Sequence, residues 1–408
     1  MKQNKIKEIN KELTLIFSDL KVLADEDRNE RSSSTRGPLG NFSLSNIGLV
    51  SKMKVASILF EESWINSNFT YKELDKQILN FCIENRTNED KKDFLVLEKF
   101  LKELLGPEVE HTVISILRGV ENVNVELTIG DFRIYPSKLI DKHIKCDNWE
   151  RIKNDIITDF ADEIMIETSV FSSDRERAKE IANERMDNFI NILYFFLFAK
   201  KGGYSLRLGT SESSSIFINI INFSGKVYVH NKLDGDWKNV DLNEIINYYE
   251  EPLNKVLEIE KKLWFDRKNV NEMEKRIYGS IQWAGRALKE KYADEKFIQA
   301  MFGMEALIQE KNKNNVISPS ITSQMSEVII FCLGDTYERR SEIEQEFKQL
   351  YTTRSNIAHG ERTQVSEYES NLVLDYLRHI IFYFLKNDTF KTFKDVNEFI
   401  KNEKYKKM

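Results

Sequence analysis

The sequence has few cysteines, and they do not stand together. Cys82, Cys146 and Cys332 are the three among 408 residues, and none stands in a Cys-x-x-Cys spacing. The sequence therefore indicates neither a disulfide framework nor a cysteine-based zinc site. Because no apolar signal core follows the polar start at Met1 either, we predict a protein of the reducing cytoplasm.

Proline is scarce as well, and the chain has no excess of positive charge. The chain has 5 prolines, 41% hydrophobic residues and 31% charged residues, a composition typical of a soluble globular protein rich in helix. With a net charge of -6, the chain lacks the excess of positive charge by which many proteins attract nucleic acid. Binding to RNA would therefore require a local site that supplies the attraction.

Long apolar runs and several common catalytic motifs are absent. The longest apolar run, Phe189 to Phe198, is shorter than the roughly 20 residues that a helix needs to cross a bilayer. We therefore predict a buried helix there and no membrane partner. The sequence has no P-loop, no dinucleotide-binding glycine pattern, no His-Glu-x-x-His and no Gly-x-Ser-x-Gly. These absences argue against the corresponding enzyme classes, and we expect no cofactor and no metal.

Length and hydrophobic periodicity predict a mainly helical protein with two parts. Residues 1–265 show mixed helix and strand patterns, which indicate an α+β region. Residues 266–408 show helical patterns only and predict an all-α bundle. The polar segment Phe265 to Asn269 marks the boundary, and a break near residues 137–148 would divide the first part into two subdomains.

The N-terminal region alternates between helical and strand patterns. We predict a helix over Lys5–Asp25, a loop over Ser32–Asn41, and helices over Ile47–Leu105 with breaks at 66–68 and 88–90. Alternating apolar residues predict strands over residues 113–116, 123–129, 132–135, 204–208, 215–220 and 226–230. The first three form a small antiparallel patch, and a helical block from 149 to 199 separates them from the others.

Near the C-terminus, two predicted helices, Ser341–Tyr351 and Ser366–Leu385, flank a segment that carries an arginine and a histidine. This segment reads Arg354-Ser355-Asn356-Ile357-Ala358-His359, followed by Gly360. Arginine keeps its charge at any working pH, whereas histidine titrates near neutrality. Together the two can bind a phosphate and transfer a proton, which are the minimum requirements for cleaving RNA without a metal ion.

The segment resembles the Arg-x4-His motif of HEPN ribonucleases, particularly the ApeA-like branch. The resemblance extends to the apolar helix from Phe297 to Leu307 with its embedded Glu-Ala-Leu, and covers about Met273 to Asn387. It implies an endoribonuclease that leaves a 2′,3′-cyclic phosphate on tRNA or another cellular RNA and is a homodimer through the HEPN-like domain. It also implies bacterial anti-phage defence or abortive infection, with a phage-derived or stress trigger at the N-terminal region.

Metal-free RNA cleavage uses the 2′-hydroxyl as the nucleophile on its own phosphodiester, so the enzyme must supply a base, an acid and a cation. We predict that His359 is the base or the acid and that Arg354 clamps the phosphate with its planar fork. Asn356, with Ser355 as the weaker choice, would orient the histidine or hold a phosphate oxygen. Glu305 either supports Arg354 through an ion pair or is a solvated helix residue.

The spacing of the motif sets a geometric condition. Five residues turn an ideal helix by about 140°, so Arg354 and His359 would not share a face. We therefore predict that the chain leaves the helix before His359 and that Gly360 ends it in a left-handed cap conformation. The histidine would then lie near the negative end of the helix dipole, which suits an acid. The alternative is a non-catalytic helical dimerisation or RNA-binding module, in which the pair is structural.

Outside the motif, we predict structural roles for the remaining histidines, which are His111, His143, His230 and His379. Arg133, Tyr135 and Arg207 are candidates to line a ligand site on the strands. In HEPN toxins paired with nucleotidyltransferase antitoxins, a tyrosine that can be modified stands two places after the motif histidine. Glu361 stands at that place here, which favours control by the N-terminal region.

Overall fold

The computed structural model describes residues 3–23, 34–37, 40–85, 100–101, 104, 108–144, 149, 153, 160, 162–197, 206–209, 217–221, 239–309, 321–361 and 364–405. The helices of the N-terminal part are α1 Gln3–Asp19, α2 Asn46–Phe60, α3 Ser63–Asn68, α4 Tyr71–Glu84, α5 Arg175–Leu197 and α6 Leu242–Phe265. Those of the C-terminal part are α7 Glu272–Lys289, α8 Ala293–Ile308, α9 Ile321–Leu333, α10 Tyr337–Ala358, α11 Glu367–Lys386 and α12 Phe393–Tyr405. The prediction of a mainly helical chain, with an α/β N-terminal region and a helical C-terminal part, is confirmed.

Strands occur in the N-terminal part of the described chain. They are β1 Lys21–Leu23, β2 Ser34–Gly37, β3 Gly40–Ser43, β4 Val109–Arg118, β5 Val120–Glu121, β6 Leu127–Ile129, β7 Phe132–Pro136, β8 Ile164–Ser172, β9 Arg207–Leu208, β10 Phe217–Ile221 and β11 Val240–Asp241. Strands β10, β4, β8, β7 and β6 lie in this order in one antiparallel sheet, and β9 also pairs with β4. The predicted small patch is therefore part of a six-stranded sheet.

Helices α1, α2 and α4 form a small unit with its own hydrophobic core. Helix α1 ends at Asp19 rather than at the predicted Asp25, because Lys21–Leu23 pairs with β3 as a strand. The predicted loop over Ser32–Asn41 is also partly wrong, since β2 and the start of β3 lie within it. The predicted break at 66–68 lies inside α3, and the one at 88–90 falls outside the described residues.

The most important error of the sequence prediction is strand β8, which lies inside the predicted helical block from 149 to 199. Four successive residues from Met165 to Thr168 are buried, because β8 lies in the middle of the sheet and both faces are covered. A strand buried on both faces shows no alternation of apolar and polar residues, so its pattern can be mistaken for a buried helix. Among the other predicted strands, 132–135 is confirmed by β7.

The remaining strand predictions differ in extent. Only 127–129 of the predicted strand 123–129 forms β6, and 113–116 is the middle of the longer β4. In the second group, β9 covers 207–208 and β10 covers 217–221. The predicted strand 226–230, which includes His230, lies outside the described residues.

Helix α5 joins the sheet to the C-terminal bundle. Phe189 of α5 stacks on Phe132 of β7 with ring centroids 4.2 Å apart, and residues 189–197 are all buried, as predicted for this apolar run. Helix α6 ends before Asp266, close to the predicted boundary between the two parts. The hydrophobic core nevertheless continues across this boundary, because one core contains residues of α5, of α6 and of the C-terminal bundle. No helix in the described part of the chain combines the length and the apolar character needed to span a bilayer.

A buried ion pair holds α5 against α6. Arg185 of α5 is fully buried, and its Nε and Nη2 atoms donate hydrogen bonds to Glu260 Oε1 and Oε2 at 2.9 and 3.0 Å. Its Nη1 donates to the Ser169 carbonyl oxygen of β8 at 3.0 Å, and the Phe265 ring centroid lies 4.7 Å from its Cζ atom. Burial raises the pKa of Glu260, and the adjacent guanidinium opposes this shift.

Replacing either of two glycines of helix α7 by alanine should change the stability of the protein, with opposite sign at the two positions. A Cβ atom on Gly285 would lie 2.2 Å from the Asn191 carbonyl oxygen of α5, whereas one on Gly279 would have no atom within 4 Å. Gly279→Ala should therefore raise the free energy of unfolding by about 0.5–1 kcal/mol through helix propensity. Gly285→Ala should lower it by about 1–3 kcal/mol or more through overpacking. Urea unfolding of both variants checks this, and equal shifts would contradict the packing of α5 on α7.

Candidate functional site

Helix α10 carries the arginine of the motif and is longer than predicted. It continues from Tyr337 to Ala358, so Arg354 lies in its last turns rather than in a junction after Tyr351, and that prediction is wrong. The continuation is stabilised by Thr353, whose buried hydroxyl donates a hydrogen bond to Glu369 Oε1 of α11 at 3.1 Å. Helix α11 begins after Ser366, whose side chain caps it, close to the predicted start.

Glu305 of α8 fixes the guanidinium group of Arg354. Arg354 Nη2 donates a hydrogen bond to Glu305 Oε2 at 3.1 Å, and Nε lies 2.9 Å from Oε1. Only 27% of the arginine side chain and 14% of the glutamate side chain are exposed. The Phe302 ring centroid lies 6.0 Å from Arg354 Cζ, on the same helix as Glu305. Glu305 is therefore an ion-pair partner of the arginine and not a solvated residue.

The ion pair leaves part of the Arg354 guanidinium for a ligand. Arginine has five N–H donors, and Glu305 occupies the edge formed by Nε and one side of Nη2. In the described part of the chain, no residue accepts a hydrogen bond from Nη1. The edge formed by Nη1 and Nη2 retains the paired donors that match two phosphate oxygens. Because Glu305 offsets the charge, hydrogen bonding contributes more to phosphate binding here than net charge does.

A second partner of Glu305 is the phenol of Tyr351, one turn before Arg354. Burial, and next the negative charge of Glu305, raise the pKa of Tyr351, so the phenol keeps its proton. A neutral tyrosine can donate a hydrogen bond to the carboxylate.

His359 is the residue at which helix α10 ends. Its backbone N–H donates to the Ser355 carbonyl oxygen at 3.0 Å, and its side chain is exposed. Gly360 has φ +75, and its N–H donates to the Ile357 carbonyl oxygen at 3.0 Å. The predicted helix end with a left-handed glycine is therefore present. The imidazole is accessible, while its backbone is held by the cap.

Asn356 and Ser355 contribute through their backbones. The Asn356 carbonyl oxygen accepts a hydrogen bond from the Glu361 N–H at 2.8 Å, which closes the helix end. Both side chains are half-buried, and neither is hydrogen-bonded to His359. The structure therefore brings Arg354 and Glu305 together and places His359 at the end of the same helix, but it does not show the predicted orienting bond from Asn356.

A polar cluster that the sequence did not reveal lies on the sheet. Glu167 of β8 is fully buried, accepts a hydrogen bond from the Tyr135 hydroxyl at 2.9 Å, and lies 3.1 Å from His143 Nδ1. Arg133 forms an ion pair with the same carboxylate, and His143 Nε2 lies 3.6 Å from Glu126 Oε2. The tyrosine and histidine rings stack 3.8 Å apart. His143 is thus paired with carboxylates.

The sequence contained only part of the signal for this cluster. Arg133 and Tyr135 lie on one strand two residues apart, so they share a face, as the strand pattern indicates. Glu167 lies directly opposite Arg133 in the pairing of β7 with β8, a strand that was not predicted. The third strand candidate, Arg207 of β9, lies opposite Arg118 of β4 and takes no part in the cluster.

The buried side chain of His143 contributes stability that is lost on acidification. Burial lowers the pKa of His143 in the folded protein. As the pH falls, the histidine of the unfolded chain therefore takes up its proton first, near the ordinary pKa of about 6.5, and that of the folded protein takes up its proton at a lower pH. Stability from this group is present above the ordinary pKa and is lost as the pH falls through the folded pKa. His143→Gln should lose less stability between pH 7.5 and 5.5 than the wild type, as measured by urea unfolding. The exposed His379→Gln should follow the wild type, and parallel curves for all three proteins would contradict the assignment.

Comparisons of the chain with protein-family models, curated proteins and solved structures find no match. Among the described residues, no group of three or more histidine, cysteine, aspartate or glutamate side chains is placed to hold a metal ion.

Proposed function

We propose that the chain is a metal-independent endoribonuclease of the HEPN type, similar to the ApeA-like branch, with Arg354 and His359 as its catalytic residues. The observation that carries the proposal is the geometry of helix α10. A guanidinium oriented by Glu305 keeps free donors for a phosphate, and an accessible imidazole lies at the helix end. These are the cation and the proton-transfer group that the reaction needs.

The reaction forms a bond between the ribose 2′-oxygen and phosphorus and breaks the bond from phosphorus to the 5′-oxygen of the next nucleotide. A base takes the proton of the 2′-hydroxyl, and an acid gives a proton to the leaving 5′-oxygen. Arg354 stabilises the additional negative charge on the phosphoryl oxygens. The products are a 2′,3′-cyclic phosphate and a 5′-hydroxyl.

One histidine cannot be base and acid in the same step, so we propose a homodimer that brings two copies of the motif into one cleft. An isologous interface places the same helix of both subunits at the twofold axis without further sequence. His359 of one copy would be the base and His359 of the other the acid. Asn356, which lies one turn before the helix end, would hold a phosphate oxygen.

The biological setting follows from the family resemblance. We propose a cytoplasmic effector of bacterial anti-phage defence or abortive infection that cuts tRNA or another cellular RNA. The N-terminal α/β region would restrain the nuclease, and a phage-derived or stress trigger acting on this region would raise the rate of RNA cleavage. Glu361 in place of a modifiable tyrosine supports control by this region.

A second candidate function is a non-catalytic dimerisation or RNA-binding module. The observation that favours it is the same ion pair, because a half-buried pair between α8 and α10 also serves to hold two helices together. In that case His359 would have no role in chemistry.

Expression in bacteria, with and without phage infection, separates the two candidates. We expect the wild type to degrade cellular RNA and to arrest growth in at least one condition, whereas His359→Ala does neither. The exposed His379 of α11 offers a matched control, and His379→Ala should behave as the wild type. Intact RNA in every condition, or equal degradation by His359→Ala, would contradict the ribonuclease proposal.

A further inference from the structure

A groove of about 630 Å³ lies along helices α7 and α8, and Glu305, the ion-pair partner of Arg354, is one of its lining residues. Lys275, Gly279 and Trp283 line it from α7, and Phe302 and Glu305 line it from α8. Residues four apart lie on one helix face, so the three residues of α7 form a continuous stripe. Because Glu305 also binds the motif arginine, the groove adjoins Arg354.

The floor of the groove is aromatic. The rings of Trp283 and Phe302 lie 5.3 Å apart at an angle of 65°. The Cζ atom of Arg286 lies 5.2 Å from the Trp283 ring, and that of Arg354 lies 6.0 Å from the Phe302 ring. Two guanidinium groups therefore flank an aromatic pair of which Phe302 is 37% exposed. Alternating cations and flat rings are the usual surface for single-stranded nucleic acid.

The charges around the groove also favour an anionic ligand. The two acidic residues that line the groove form ion pairs, Glu272 with Arg276 at 3.0 Å and Glu305 with Arg354 at 2.9 Å. The exposed Lys275 forms no ion pair with a described residue. The exposed Arg286 forms none within the described chain either, and the nearby carboxylate of Asp187 offsets part of its charge. The unbalanced charge at the rim is therefore positive, although the whole chain carries -6.

Gly279 supplies an independent observation. Glycine inside a helix lowers stability relative to alanine and is expected where close packing requires it. At Gly285 and Gly303 a Cβ atom would lie 2.2 Å from Asn191 and 2.7 Å from Leu377, so packing explains those two. At Gly279 a Cβ atom would meet nothing within 4 Å. Because Gly279 has no side chain, the groove stays open between Lys275 and Trp283.

We propose that this groove binds a single-stranded segment of RNA and leads it to Arg354. Bases would stack on Trp283 and Phe302, and phosphates would contact Lys275 and Arg286. The choice of RNA as the ligand rests on the proposed ribonuclease function. The groove would thus select unpaired RNA, because a base within a duplex has no free face for stacking.

The test measures binding of a fluorescein-labelled 12-nucleotide single-stranded RNA by anisotropy, with His359→Ala as the parent so that the RNA stays intact. Adding Trp283→Ala or Phe302→Ala should weaken binding roughly tenfold through loss of stacking. Gly279→Leu should weaken it to a similar extent by filling the groove, whereas Gly279→Ala should stay within about twofold of the parent. Tyr337→Ala, at the far end of α10 and 73% exposed, is the matched aromatic control and should bind as the parent does.

Equal RNA affinity in all variants, or no binding by the parent, would overturn the groove proposal. A shift from dimer to monomer in size-exclusion chromatography of the Gly279→Leu protein would also overturn it, because a second copy of the chain would then occupy the groove. The outcomes separate from those of the proposed function. If the wild type cleaves RNA and the groove variants bind RNA as the parent does, the ribonuclease proposal stands and the groove proposal fails. If RNA binding depends on the groove but no RNA is cleaved, the groove proposal stands and the ribonuclease proposal fails.

Discussion

Replacing His359 by alanine is expected to lower the rate of RNA cleavage by a factor of about 10²–10⁴ without changing the melting temperature of the protein. The reason for the first effect is the loss of the group that transfers protons. The reason for the second is that the helix cap uses the backbone N–H of His359 and not its imidazole, which is exposed. Single-turnover cleavage of a labelled RNA and a thermal unfolding curve test both parts.

The control for this prediction is His379→Ala on helix α11. His379 is also exposed, and its Nδ1 lies 2.7 Å from the Asp375 carbonyl oxygen of the preceding turn. We expect cleavage by this variant at the wild-type rate. A lower melting temperature of His359→Ala, together with a proportional loss of folded protein, would indicate the non-catalytic module.

Arg354 is a less direct probe than His359, because the structure gives it a second role. Its ion pair with Glu305 is largely shielded from solvent and joins α8 to α10, so Arg354→Ala should lower both cleavage and stability. Arg354→Lys separates the two effects, because lysine keeps the charge but loses the planar fork. Loss of cleavage with most stability retained in Arg354→Lys would assign the fork to phosphate binding.

Replacing Glu260 by leucine is expected to lower the free energy of unfolding by about 3–5 kcal/mol. The substitution leaves the fully buried Arg185 without the carboxylate that accepts two of its hydrogen bonds. Asp131, 3.6 Å from Arg185 Nη2, can offset only part of the loss because its side chain is partly exposed. Urea unfolding of the wild type and the variant gives the difference directly.

Two further variants show whether burial is the cause. In Arg185→Met combined with Glu260→Leu, both charges are gone and apolar groups fill the site, so most of the lost stability should return. Glu344→Ala breaks an exposed pair with Lys348 on α10 and should change stability by less than about 1 kcal/mol. A single Glu260→Leu variant as stable as the wild type would contradict the buried ion pair.

The features that were predicted correctly depend on neighbours in sequence. The buried helix at 189–197, the turn of the chain at Gly360 and the start of α11 all follow from local periodicity, conformational preference or capping. The end of α10 did not follow. The residues from Thr352 to Asn356 are polar, and they stay helical because Thr353 binds Glu369 and Arg354 binds Glu305 on other helices.

The features that were missed depend on contacts between distant segments. Strand β8 has no alternation because both of its faces are buried, and without it nothing places Glu167 beside Arg133 and His143. Similarly, the groove beside the motif combines residues of α7 and α8 that are unremarkable in sequence. Pairing and packing in three dimensions create these sites, and hydrophobic periodicity alone does not encode them.

The most direct test of the proposed function is incubation of the purified protein with total RNA in EDTA, followed by analysis of the RNA ends. The predicted result is cleavage by the wild type that leaves 2′,3′-cyclic phosphate and 5′-hydroxyl ends, and no cleavage by His359→Ala. The contradicting results are cleavage that persists in His359→Ala, cleavage that requires a divalent metal ion, or intact RNA with both proteins.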